Sequence, residues 1–317
     1  MTTKSTILRQ RRSPRPARSA PRSAGSAWKS VRSRGLEILQ AAPLARLPWL
    51  IHGFSTRLGG SSLLEGKKAL NLGFTEWDQR EIVLANRRTF LAALGAERMP
   101  FTLLRQFHSD VICVLNDPPQ EPRRGDASIT SVPGIILGVQ TADCVPILLA
   151  DTKRRIVAAV HAGWRGTLQR IVMKTVGRMQ MVFGTQPKDI AAALGPAIAG
   201  CCYEVGPEVA QAFAAQFPAA LEWFEGPFDK LITDDSPNPL QWLNMMPPGH
   251  QPPPPRVHLD LRAANRWQLL EAGVAARNIS SSDLCTACRT DLLFSFRREG
   301  KSSGRLMAVI GIRPEEA

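Results

Sequence analysis

The stretch from residue 135 to residue 183 constrains the fold most. Three short apolar runs, 135–140, 147–150 and 156–160, follow one another with only a few residues between them. Runs of this length without polar alternation predict strands buried on both faces. Directly after them Leu168, Ile171, Val172, Thr175, Val176, Met179 and Phe183 recur at the helical period, which predicts a helix over 166–183.

The rest of the chain fits the same picture. Ile82, Val83, Phe90, Leu91 and Leu94 mark a helix over 80–95, stopped by Gly95. Pro207 opens another, with Val209, Phe213 and Phe217 spaced four apart, and 261–273 is a third that ends on Gly273. Residues 306–312 read as a late core strand. Strands and helices mix without a regular βαβ rhythm, so the expected class is α+β. Between Gly226 and Arg256 lie nine prolines, four of them consecutive, and 226–256 is read as a Pro-rich insertion.

Charge divides the chain unevenly. Of 40 Lys and Arg, ten fall within residues 1–36, where there is no acid; the remainder carries 30 basic against 27 acidic residues. The net charge of +13 therefore describes mainly a leader, expected to be disordered over 1–43, ahead of a domain over 44–317. A transit segment and a polyanion contact are other uses of such a leader. Nucleic acid is expected only as a non-specific contact of this leader. No run approaches the roughly 20 apolar residues of a membrane span. Six cysteines in 317 residues are not a disulfide framework, and a reducing, cytoplasmic setting is expected, with thiols available as ligands or nucleophiles.

Neither a P-loop, nor a strand-linked G-x-G-x-x-G, nor a G-x-S-x-G elbow occurs. What stands out is His108, Cys144 and His161, each close to an apolar run. Two imidazoles and a thiolate suit Zn²⁺, and three ligands leave a fourth position open for water or substrate. Taken singly, each has a plain reading: a loop histidine, a buried thiol, a strand-capping hydrogen-bonder. Arg165, between Gly163 and Gly166 at a helix start, and Arg57, in another glycine-rich turn, could clamp an anion; both could equally be surface arginines in ordinary turns.

A series of ordered motifs carries a family resemblance. It runs through His52-Gly53-Phe54-Ser55-Thr56-Arg57, Asn71-Leu72-Gly73, Gln106-Phe107-His108, Gly125-Asp126-Ala127 and Thr141-Ala142-Asp143-Cys144-Val145-Pro146. It continues through His161-Ala162-Gly163-Trp164-Arg165-Gly166, Gly195-Pro196, Cys202-Tyr203-Glu204-Val205-Gly206 and Cys285-Thr286. The chain resembles the laccase-domain family, also called multicopper polyphenol oxidase-like or peptidoglycan editing factor-like, over residues 48 to 312.

That resemblance implies a single domain of stacked mixed β-sheets flanked by helices, and a zinc ion on His108, Cys144 and His161, with copper as the alternative ion. It implies phosphorolysis of adenosine, inosine and methylthioadenosine, and hydrolytic deamination of adenosine. The expected roles are phosphate binding by Arg57 and Arg165, support of the departing purine by the metal or His52 as acid, and proton transfer by Asp143 or Glu204. Ser109 stands where the family usually has a small residue such as glycine, and the 226–256 stretch looks longer than usual. A multicopper centre would need about ten imidazoles; the chain has five. The Cys285-x-x-Cys288 pair lacks the second C-x-x-C of a zinc ribbon and is expected to be packed thiols near the site. The rival enzymatic reading is a metal-independent cysteine hydrolase, Cys144 its nucleophile and His161 its base, acting in cell-wall precursor editing.

Overall fold

The computed structural model describes residues 27–226 and 257–314. Its strands are β1 (Trp28–Ser33), β2 (Leu36–Ala41), β3 (Leu50–Ser55), β4 (Ser62–Leu64), β5 (Lys67–Ala69), β6 (Phe101–Leu103), β7 (Ile112–Val114), β8 (Ala127–Thr130) and β9 (Ile136–Thr141). They continue with β10 (Val145–Asp151), β11 (Ile156–Ala162), β12 (Ile190–Leu194), β13 (Glu204–Val205), β14 (Phe224–Glu225), β15 (Val257–Leu259), β16 (Ile279–Ser281) and β17 (Leu306–Ile312). The helices are α1 (Ala42–Ala45), α2 (Arg80–Ala93), α3 (Trp164–Leu168), α4 (Ile171–Phe183), α5 (Pro207–Gln216), α6 (Leu261–Glu271) and α7 (Phe296–Glu299).

Two six-stranded mixed sheets, ordered β1-β2-β3-β17-β9-β6 and β16-β12-β10-β11-β8-β7, stack face to face. Side-chain alternation decides the layers. Leu148 and Ala150 of β10, with Val157 and Ala159 of β11, meet Leu137, Val139, Ala308 and Ile310 of the first sheet. Their neighbours Ile147, Leu149, Ala158 and Val160 point the other way, against Val172, Val176 and Met179 of α4 and Leu269 of α6. On the far face of the first sheet, Met307 and Val309 pack on Phe90 and Leu91 of α2. The result is a helix–sheet–sheet–helix stack of class α+β, with central strands buried on both faces, as their unbroken apolar runs require.

Two boundaries differ from the sequence reading. The expected leader does not extend to residue 43: β1 pairs along its whole length with β2, and β2 with β3, so the ordered domain includes Trp28–Ala41. Most of β1 faces solvent at the sheet edge, so its polar, basic composition carries no core signature. The helix expected over 166–183 is two helices. Arg170 takes a left-handed φ of 63° between α3 and α4. Gln268 donates to the Thr167 carbonyl at 2.7 Å and Asn265 to its hydroxyl at 2.9 Å, which pins α3 to α6 and turns the chain at this point. The Pro-rich 226–256 stretch lies almost wholly outside the described residues, as does most of the basic leader.

Candidate metal centre and active site

His108 lies in the loop after β6, Cys144 in the turn between β9 and β10, and His161 on β11, opposite Pro146 of β10. The antiparallel β10–β11 pairing thus sets Cys144 beside His161, and the loop carrying His108 closes over both. One ligand atom from each residue lies within 4.8 Å of the others. The thiol of Cys144 is 3.9 Å from Nε2 of His108, and the two imidazole rings sit edge to face with centroids 5.0 Å apart.

Asp126 organises the group. Its side chain is fully buried and accepts from the backbone N–H of Phe107, His108 and Ser109 and from the Ser109 hydroxyl, at 2.6–3.2 Å. Three successive N–H groups aimed at one carboxylate form a nest. They also hold His108 at φ 63°, a left-handed conformation costly for a side-chain-bearing residue. The same carboxylate lies 2.8 Å from Nδ1 of His161, which leaves Nε2 available to ligate. Burial alone would lower His161, but Cys144 and Asp126 together raise it well above its ordinary value. Burial alone would raise Cys144; His161 and His108 outweigh it and bring the thiol down to about 6, so the sulfur is readily the thiolate that ligation needs. In the sequence Asp126 carries no signal of this role beyond being a carboxylate that opens a buried strand.

Two further features fit a small occupant. A Cβ on Gly163 would sit 2.9 Å from the Cys144 sulfur and 2.9 Å from Cδ2 of His108, so any side chain there would crowd the cluster. Asp143, at φ 93°, accepts from the Thr286 hydroxyl and the Arg297 N–H, each at 2.6 Å. Both of its carboxylate oxygens are thereby engaged in fixing the turn that presents Cys144.

Three arginines lie in the neighbourhood of the cluster. Arg165 stacks on Trp164 with its guanidinium carbon 4.5 Å from the ring centroid, and has no carboxylate partner among the described residues. Arg297 lies over Tyr203, the single tyrosine, and donates to the Glu204 carbonyl at 2.8 Å. Arg305 is lowered by burial and partly restored by the charges of Asp143 and Cys144. Burial, then Cys144, raise the Tyr203 phenol, while Arg297 and Arg165 pull it back; it remains a neutral O–H donor.

Two expected site residues lie apart from this group. His52 is 2 % exposed on β3; its Nε2 accepts the Ala41 N–H at 3.1 Å, and burial lowers it to about 4. Burial thus favours its neutral form, and among the described residues it is not part of the His108, Cys144 and His161 group. Arg57 donates to Glu299 at 2.7 Å and to the Thr290 carbonyl at 2.6 Å, and stacks on Phe294. It faces a polar trough of about 1030 Å³ whose walls include Lys67, Asp291 and Arg298 but none of His108, Cys144 and His161. Its guanidinium straps the 290–299 segment in place.

The donor set fits one ion. Among the described residues it comprises two imidazoles and one thiol, too few for a multicopper array.

Comparison with known proteins places these features. A family described as multi-copper polyphenol oxidoreductase laccase matches residues 51–313. A purine nucleoside phosphorylase of Deinococcus radiodurans is 37% identical over 289 residues, covering 89% of this chain and 95% of the relative. Adenosine deaminase RL5, from an unknown prokaryotic organism, is 36% identical over 80% of this chain and 91% of its own length. The crystal structure of YlmD from Geobacillus stearothermophilus superposes with a TM-score of 0.74 at 30% identity, over 92% of this chain and all of that one.

Proposed function

The chain belongs to the multi-copper polyphenol oxidoreductase laccase family, and from that premise we propose that it is a zinc-dependent purine nucleoside phosphorylase with adenosine deaminase activity. Its substrates are adenosine, inosine and methylthioadenosine together with inorganic phosphate. The observation that carries the reading is the Asp126-organised His108/Cys144/His161 group beside three arginines. The same donor set takes copper. Neither phosphorolysis nor deamination transfers electrons to a metal, so a redox-inert Lewis acid is sufficient, and zinc is the ion proposed.

When bound, the ion supplies Lewis-acid polarisation to the purine or to water. The protein's part is positioning and charge. Arg165, with Arg297 and Arg305, holds phosphate beside C1′ of the nucleoside. As the C1′–N bond breaks, its electron pair leaves with the purine and a phosphate oxygen forms the new bond to C1′. Positive charge developing on the sugar is met by the bound phosphate. In deamination, water adds at C6 and ammonia departs, with Glu204, which follows Tyr203 in the chain, as the proposed proton carrier and Tyr203 as a neutral donor. Asp126 and Asp143 act by holding His161, His108 and Cys144 in place.

The sequence Asp126–His161–Cys144 would also serve a cysteine hydrolase. A nucleophile–base pair has no use for the His108 nitrogen 3.9 Å from the thiol, and this favours a metal. Incubation with adenosine, with and without phosphate, followed by chromatography tests the proposal. Adenine that appears only with phosphate marks phosphorolysis, and inosine marks deamination. Neither product from metal-loaded protein would overturn it.

A further inference from the structure

A second group of ligands lies outside this pocket. Cys201 and Cys202 follow the end of β12, and Cys285 and Cys288 follow the end of β16; these two strands are adjacent and parallel. Ala197 and Cys285 form a bridge just beyond the sheet, with Thr286 donating its N–H to the Ala197 carbonyl at 3.2 Å. The two loops therefore leave the sheet side by side and bring all four sulfurs within 4.8 Å of one another. The C-x-x-C partner missing from the sequence pattern is an adjacent pair of cysteines from a distant loop.

Distances separate the uses of such a group. Cys201 and Cys202 sulfurs are 3.8 Å apart, Cys201 and Cys288 3.6 Å, and Cys202 and Cys288 3.4 Å. A disulfide requires about 2.05 Å. Four thiolates at a Zn–S bond of about 2.3 Å occupy tetrahedral corners about 3.8 Å apart. Polar groups already face the sulfurs: the Ala199 N–H donates to Cys285 at 3.4 Å, and Nη2 of Arg298 is 4.0 Å from Cys202. Such N–H donors and a cation offset the negative charge that four thiolates leave on a divalent ion.

We propose that Cys201, Cys202, Cys285 and Cys288 form a second, structural zinc site that clasps two loops next to the His108/Cys144/His161 group. Its ligand count is closed, so it takes no substrate. The clasp acts on the pocket through two neighbours in sequence: Tyr203 follows Cys202, and Thr286, between Cys285 and Cys288, donates to Asp143 at 2.6 Å. This site does not depend on the proposed reaction.

Metal analysis of the full chain, purified under reducing conditions, tests it alongside Cys144→Ala and Cys288→Ser. About two zinc equivalents are expected in the unmodified protein, and about one in each variant. The Cys144→Ala protein, reloaded with cobalt(II), is expected to show sulfur-to-metal charge-transfer absorption, because four clustered thiols remain there. This readout holds even if Cys288→Ser fails to fold. Loss of all zinc in Cys144→Ala with no cobalt–thiolate absorption would overturn the site. So would iron with acid-labile sulfide, or a disulfide among the four cysteines found by mass spectrometry of the protein purified in reductant. Activity enters none of these outcomes, so failure of the phosphorylase reading leaves the clasp standing, and the reverse.

Discussion

Two stretches of this chain look alike in sequence and end in opposite roles. Residues 52–57 and 161–166 each carry a strand histidine, a glycine, an aromatic ring and an arginine. Both histidines are buried, His52 at 2 % and His161 at 4 % exposure. Without an acidic partner, burial drives His52 down to about 4. Beside Asp126 and Cys144, the same burial is outweighed and His161 rises. The arginines diverge similarly: Arg57 is tied to Glu299, while Arg165 rests on an indole with no carboxylate partner among the described residues. A motif becomes reactive through the charges the fold brings to it, not through its own residues.

Removing the reactive side should have the largest effect. Cys144→Ala or His161→Ala is expected to abolish both activities and empty the pocket's metal, lowering kcat/KM by roughly 10³-fold or more. A zinc-free variant that kept full activity would erase the contrast with His52. Next in size, Asp126→Asn keeps the shape but not the charge. It should weaken metal affinity by roughly 10–100-fold, read by competition with a chromophoric chelator. Unchanged affinity would show that the nest and the His161 contact are not what distinguishes the two histidines.

Much of this architecture is legible in the sequence, because burial leaves a pattern. The apolar runs around Leu137, Leu148 and Ala158 sit where the sheets stack, and the metal-type residues at their ends were found by chemistry and position. What escaped detection had no local signature. An exposed edge strand such as Trp28–Ser33 reads as leader. The break at Arg170 depends on Gln268 and Asn265 reaching across from another helix. Asp126 looks like any carboxylate until three N–H groups converge on it. The four thiols meet only because β12 and β16 are neighbours.

The arginines offer a mid-sized test. Arg165→Ala is expected to raise the KM for phosphate roughly 10-fold, the loss of a charge-assisted contact, with deamination and stability little changed. Equal loss of both activities would make Arg165 structural. Arg57→Ala should do the reverse: leaving Glu299 without its partner in a mostly buried setting is expected to cost about 3 kcal/mol in denaturant unfolding. A phosphate-specific defect in that variant would place Arg57 back in the anion site.

His52→Gln should have the smallest effect on turnover, and its signature is in stability. The unfolded histidine takes its proton near 6.5, whereas the folded one resists until about 4. Between these values the unfolded chain binds more protons, so stability rises with pH through the window. The contribution is complete above 6.5 and is lost as pH falls toward 4, by at most about 3 kcal/mol. Carboxylates held low, such as Asp291, add their slope only below this range. Glutamine can still accept the Ala41 N–H but does not titrate. Urea midpoints at pH 7, 6 and 5 should therefore fall in the parent protein and fall less steeply in the variant, where the Cys144 contribution remains in this window. A variant with the parent's slope would mean that His52 titrates freely. Its difference from His161 would then lie in position alone, and not in the proton each holds.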